Sequence, residues 1–252
     1  MYKTIVIIII LCVIAIIIYK NQSEKLQGIN CENLEVFTID YPLPGPTIGL
    51  LGSVHGNEPT GQVFLTKLVN GEYQLPKELQ RGKFIVIPRP NICGFILNTR
   101  YQRKWFNRDL NRNFSENGPL DSKSAKILEA FKECDLIIDI HNGWGFYQIN
   151  PPSVGSTLAA TTSKTIQISQ LATDEVNKTI QESKKKFVNL KYEDCNIPNT
   201  LSCYMRNSKR DYILIEISGQ NNIQPIELCV NQARILVETI LMNYIKDFLH
   251  KG

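Results

Sequence analysis

Histidine is scarce in this 252-residue chain: there are three, and one of them, His250, falls in the C-terminal tail. None of the seven cysteines forms a Cys-x-x-Cys pair, which argues against a cysteine-ligated zinc finger. Cys12 lies inside an apolar run. The remaining six are even in number and would permit disulfides in an oxidising compartment, yet no spacing among them resembles a disulfide framework. Basic residues are not gathered into a stripe, and the net charge is a mild +4, so nucleic acid is not expected as a partner. The one basic run, Lys184 to Lys186, reads as the solvated end of a helix. Internal repeats are absent, and the length suits one substantial domain.

Charge is also missing from Thr4 to Tyr19, where isoleucine and valine dominate between Lys3 and Lys20. That run approaches the roughly 17–25 residues needed to span a bilayer. A cleaved signal peptide would need small residues just beyond it, whereas Tyr19-Lys20-Asn21-Gln22-Ser23 makes a poor cleavage site. The expectation is one N-terminal transmembrane helix, an uncleaved single-pass signal anchor over residues 1–20, with a polar linker at 21–30. Lysines at both ends leave its orientation open.

Beyond the linker, short runs rich in β-branched residues alternate with amphipathic stretches. Strands are predicted over Leu34 to Asp40, Thr47 to Ser53, Lys83 to Arg89, Asp135 to His141 and Tyr212 to Ser218. Helices are predicted over Pro59 to Val69, Asp121 to Glu133, Ile166 to Lys186 and Pro225 to Leu249. Continuous runs such as Phe84-Ile85-Val86-Ile87 suit strands covered on both faces. The fold class is therefore α/β, a three-layer sandwich with a central mixed, largely parallel sheet flanked by helices. In such sheets ligands gather beyond the carboxyl ends of the strands.

Two of the three histidines fall at those ends. His55 opens His55-Gly56-Asn57-Glu58 after an apolar run, and a His and a Glu three apart at a strand-to-helix turn can point to one centre. Gly56 permits a tight backbone there. His141 closes Ile138-Asp139-Ile140-His141 and can add a third donor, leaving one position open on a zinc ion. Asp139 shares the strand face of His141 and can orient an imidazole. Either histidine alone would more readily be a satisfied polar group at a sheet edge. A second cluster, Arg108-Asp109-Leu110-Asn111-Arg112-Asn113-Phe114, follows Arg100 and Arg103 and offers donors suited to a carboxylate.

Together these segments resemble the zinc carboxypeptidase superfamily, including its succinylglutamate desuccinylase/aspartoacylase branch, from about Leu34 onward. Gly52-Ser53-Val54-His55-Gly56-Asn57-Glu58-Pro59-Thr60-Gly61 is similar to the metal-binding segment of that branch. Asn91-Ile92-Cys93-Gly94-Phe95 resembles its Asn-Pro-x-Gly-Phe turn with Ile92 in place of proline. Asp109 to Phe114, Asp139-Ile140-His141-Asn142 and Ile215-Glu216-Ile217 follow in the family's order. The resemblance implies zinc, one ion per chain, on His55, Glu58 and His141, with Glu216 as general base. It gives Asn111 and Arg112 the substrate's carboxylate. For the oxyanion it offers Arg103 first and Arg100 second. Tyr204, in the polar loop before the Glu216 strand, is the candidate for a tyrosine that closes over substrate.

The implied catalytic domain spans 31–252. The implied activity is hydrolysis of an amide next to a free carboxylate: a carboxypeptidase acting on peptides, or a deacylase acting on N-acyl amino acids. The deacylase branch usually continues into a β-rich domain, whereas one long helix follows Glu216 here, which favours the carboxypeptidase. A membrane-tethered binding module without activity is the third reading; loss of a ligand or the base would mark it, and all four residues are present.

Overall fold

Leu136–Gly143 is buried along its whole length, and an isoleucine-rich strand with no exposed face requires a covering layer on each side. The computed structural model, which describes residues 2–102, 109–190, 195 and 197–251, supplies both layers. In chain order the elements are α1 (Tyr2–Lys25), β1 (Phe37–Asp40), β2 (Leu43–Gly52), α2 (Pro59–Val69), β3 (Arg81–Ile87), α3 (Ile92–Leu97), β4 (Phe114–Ser115), β5 (Gly118–Pro119), α4 (Ser122–Ala130) and β6 (Leu136–Gly143). There follow β7 (Thr157–Ala160), α5 (Ser163–Asn177), β8 (Val188–Leu190), α6 (Leu201–Asn207), β9 (Tyr212–Ser218) and α7 (Ile226–Lys251).

Seven strands form one sheet in the order β1-β3-β2-β6-β9-β7-β8. Its centre, β3, β2, β6 and β9, is parallel. The edge strand β1 pairs antiparallel with β3, and β7 pairs antiparallel with β9 and parallel with the other edge strand, β8. The sheet is thus mixed and largely parallel, and helices cover both faces, as the sequence predicts.

Alternation along β6 sorts the two cores. Leu136, Ile138 and Ile140 join Phe64 of α2, Ile168 of α5 and Leu236 of α7 in the larger core. Ile137 faces the smaller core, with Leu51, Ile127 of α4 and Leu201 of α6. Further along that second face the residues become Asp139 and His141. The same two-residue period that builds the core therefore carries an acid and an imidazole out to the carboxyl end of the sheet. Truncating Ile138 to alanine would cost roughly 2–5 kcal/mol.

Several expectations need correction. The third predicted helix stops at Asn177, whose carboxamide accepts from the Phe187 amide (2.7 Å) and donates to its carbonyl (2.9 Å). The chain turns back there to make β8, so Lys184 lies in a short 3₁₀ turn, Ser183–Lys185, and not at the end of that helix. His250 belongs to α7 and not to a tail. Tyr204 lies on α6, not in a loop, because Thr200 caps that helix by accepting from the Cys203 amide. Helix α1 runs on to Lys25, through part of the expected linker.

Four of the seven cysteines pair, which their spacing did not reveal, and Cys12, Cys134 and Cys229 are free. Cys31 is bonded to Cys93 on α3, and Cys195 to Cys203 on α6. The first bond fastens the stretch after α1 to the domain, and the buried Lys123 ammonium donates to the Cys31 carbonyl beside it.

Candidate metal centre

The turn after β2 holds the first two donors. Ser53 takes a left-handed backbone (φ 49°), and its hydroxyl donates to the Glu58 carbonyl (2.6 Å) while accepting from the Gln62 amide (3.1 Å). The loop from Ser53 to Glu58 is thereby closed on itself. Gly56 is required for space: a Cβ there would lie 1.9 Å from the backbone of Gly94 on α3. Asn91 caps α3 by accepting from Gly94 (3.0 Å) and donates to the carbonyls of Val54 (3.1 Å) and Arg100 (3.0 Å). The Asn91 segment is thus the splint of the His55 loop.

Pro59 opens α2, where a missing N–H costs nothing. Glu58, directly before it, does not cap the helix with its side chain. The oxygen of Asn142 on β6 takes the Thr60 amide instead (3.0 Å), which frees the Glu58 carboxylate for the centre. His55 Nδ1 lies 2.8 Å from Glu58 Oε1, and His141 Nδ1 lies 2.8 Å from Glu58 Oε2. The three donor groups converge with ligand atoms all within 4.8 Å of one another, and each residue is no more than 3% exposed.

The far nitrogens are held as well. Asp139 faces His141 Nε2 at 3.2 Å, as expected from their shared strand face, and the Tyr212 hydroxyl donates to the same carboxylate (2.8 Å). Asp109 faces His55 Nε2 at 3.0 Å. Each imidazole therefore turns Nδ1 towards the centre while a carboxylate fixes its Nε2, the arrangement that orients and strengthens a metal-binding histidine.

Electrostatics test whether a cation fits. Burial opposes ionisation of Glu58, but the two imidazoles outweigh it and hold its pKa well below the usual carboxylate range. Burial likewise opposes charge on the imidazoles, yet the acids around them win. His55 is drawn upward by Glu58 and Asp109, and His141 well upward by Asp139 and Glu58. A centre that pulls protons onto both imidazoles is an electronegative hollow, and the nitrogen–oxygen donor set suits zinc.

Glu216 stands beside His141, paired with it in the β6–β9 register. It is half-buried, yet set deep enough that burial, followed by repulsion from Glu58, pushes its pKa up to about 8 against the pull of His141. A dication at the centre would draw it down again.

The donor-rich loop lies alongside. Asp109 accepts from the Asn111 amide (2.9 Å) and from Arg100 Nε (2.9 Å), and Arg100 Nη1 sits 3.6 Å from Glu58 Oε1. Asn111 Oδ1 accepts from the Leu201 amide at the start of α6 (2.9 Å), and Arg112 Nη1 donates to the Asn111 carbonyl (2.7 Å). Arg100 is thus brought to the ligands, with Asn111 and Arg112 beside it. Tyr204 lies one turn beyond Leu201, half-buried against the smaller core. Arg103 lies outside the described residues.

Sequence reasoning gave no role to Asp109, Asn142 or Gln220. The first two stand inside quoted motifs, and an acid before Leu-Asn-Arg was the available signal for Asp109. Gln220 carries no local signal. It enters the site from the 3₁₀ turn Gln220–Asn222, after β9.

Fold and site together define a three-layer α/β protein with a three-donor group that could hold a metal at the carboxyl ends of its parallel strands. Residues 44–233 match the succinylglutamate desuccinylase/aspartoacylase catalytic domain, well over half of the chain, and the chain belongs to that family. No curated protein matches it. Among solved structures it is similar to the cell shape determinant protein Csd4 of Helicobacter pylori, seen as a Gln46His variant (TM-score 0.68, 19% identity, covering 84% of this chain and 55% of that one). It is also similar to an aspartoacylase family protein of Mesorhizobium loti (TM-score 0.56, 21% identity, 82% and 61%). A third is the succinylglutamate desuccinylase/aspartoacylase of Rhodobacter sphaeroides (TM-score 0.54, 20% identity, 85% and 58%). The chain spans little more than half the length of these neighbours, and at such identity the likeness shows the fold.

Proposed function

We propose that this chain is a zinc-dependent amide hydrolase that cleaves the bond next to a free carboxylate of a peptide. The observation that carries the reading is the convergence of His55, Glu58 and His141 with Glu216 in register beside His141. Zinc, when bound, polarises the scissile carbonyl and acidifies the attacking water towards a pKa of ~7. Glu216 takes the proton of that water and passes it to the leaving nitrogen. Arg100 faces the negative charge that develops on the carbonyl oxygen. Its place beside Glu58 supports giving it the oxyanion role. Asn111 and Arg112 hold the substrate's carboxylate, and Tyr204 completes that wall.

Csd4 is described as a D,L-carboxypeptidase and has been seen with a tripeptide, and its structural likeness exceeds that of the acylase neighbours. That supports the carboxypeptidase reading. An N-acyl amino acid deacylase is the second reading, supported by the family match. A panel decides between them: peptides with a free C-terminal carboxylate, the same peptides amidated, and N-acyl amino acids. Turnover of free but not amidated peptides is expected; turnover of N-acyl amino acids alone would establish the deacylase.

One N-terminal helix is long and apolar enough to cross a membrane, and no part of that window is buried against the domain. We read α1 as a single-pass signal anchor. The pairs Cys31–Cys93 and Cys195–Cys203 support placing the domain on the oxidising side. An impermeant maleimide added to intact cells should label these cysteines only after treatment with an impermeant reductant; no labelling even after reduction would overturn that placement, and labelling without reduction would overturn the pairing.

A further inference from the structure

We infer that Gln220 is a positioning residue for the metal centre, holding Glu58 in its ligand orientation and away from Arg100. The inference rests on the zinc reading of the site. Glu58 is 2% exposed, and a carboxylate so buried needs each oxygen hydrogen-bonded. Oε2 accepts from the backbone amide of Asn142 (3.0 Å), and Oε1 accepts from Gln220 Nε2 (3.0 Å). Two donors on opposite oxygens fix the plane of the carboxylate and leave its remaining lone pairs aimed between the imidazoles.

The orientation of the Gln220 amide is itself determined. Its nitrogen faces two acceptors, Glu58 Oε1 and the Asn142 carbonyl, and a flipped amide would set oxygen against oxygen at both. Its oxygen accepts from Asn57 Nδ2 (3.3 Å), in the loop between His55 and Glu58. Gln220 thus fastens the outlet of the strand bearing Glu216 to the loop bearing two ligands.

The backbone is shaped for this delivery. A Cβ on Gly219 would lie 2.3 Å from Asn142 Nδ2, so only glycine lets the turn approach so closely. Asn221 and Asn222 are both left-handed (φ 55° and 56°), a conformation asparagine tolerates better than most residues. Arg100 supplies the reason such a donor is needed. Its Nη1 is already 3.6 Å from Oε1, and without the Gln220 bond the carboxylate can swing onto the guanidinium. One movement would then remove a ligand and engage the oxyanion arginine.

The test measures zinc affinity on the full chain by chelator competition, with the melting temperature of the metal-free protein alongside. Gln220→Met keeps the bulk and loses the donor, and Gln220→Ala loses both. Each should bind zinc about 10–100-fold more weakly than wild type. The metal-free melting temperature should be unchanged, and most turnover should return at saturating zinc. Asn57→Ala should weaken binding by a smaller factor in the same direction. Wild-type affinity in Gln220→Met and Gln220→Ala would overturn the role of Gln220 alone. A wild-type chain that binds no zinc would overturn the metal reading, and this inference with it.

Discussion

The three candidate metal donors are no more than 3% exposed, whereas the guanidiniums beside them are open to solvent, 34% for Arg100 and 40% for Arg112. His55 and Glu58 stand on the closed turn between β2 and α2 and His141 on β6, and each is held by at least one further buried or half-buried group. Arg100, Asn111 and Arg112 stand on irregular chain or a short 3₁₀ turn. In the proposed function the reacting groups are thus mounted on the sheet and on a turn pinned to it, and recognition on more open chain. Loops can vary in shape without disturbing the sheet that positions the reacting groups. The division explains why the reaction is easier to read from this molecule than the substrate.

Substitutions should break the two halves in different ways. His55→Ala or His141→Ala should abolish zinc binding and reduce activity to background, checked by metal analysis of purified protein. Retained zinc would mean that the buried half is not a metal centre. Glu216→Gln should keep zinc and lower kcat about 10²–10⁴-fold; wild-type turnover would remove Glu216 from the mechanism. Arg112→Ala should leave zinc in place and lower kcat/KM about 10–100-fold, mostly through KM, since a hydrogen bond to a charged group contributes about 1.5–3 kcal/mol. It should also blunt the preference for free over amidated peptides. Equal preference in variant and wild type would show that the carboxylate is bound elsewhere. Tyr204→Phe should have the smallest effect, within about fivefold on KM, because a single hydroxyl contact is worth ~1 kcal/mol; a fall in kcat alone would place the tyrosine in the chemistry.

Legibility in the sequence followed the same division. The ranges Pro59 to Val69 and Tyr212 to Ser218 are those of α2 and β9, because both carry strong local signals: Pro at a helix start, and a β-branched run between turns. β7 was not legible. Thr157-Leu158-Ala159-Ala160 has no alternation and a single β-branched residue, Thr157, and it is a strand because β9 and β8 pair with it on either side. Asp139 was legible as a partner of His141 because two residues along a strand share a face. Asp109 and Gln220 reach the centre from 54 residues beyond His55 and 162 beyond Glu58, contacts that only the folded chain creates. The Cys31–Cys93 bond was hidden for the same reason, its sequence separation being 62.

That bond also sets a leash. Helix α1 ends at Lys25 and the chain is clamped to α3 at Cys31, so the free tether can extend no more than about 20 Å. With α1 in a bilayer, as proposed, the crevice sweeps a thin shell next to the lipid surface and not the volume of the compartment. A substrate fixed in that shell meets the enzyme at a local concentration set by tether length, while one free in solution gains nothing from the tether. Cutting the chain between Lys25 and Cys31 would leave kcat/KM on a soluble peptide unchanged and would slow turnover of the same peptide displayed on a membrane.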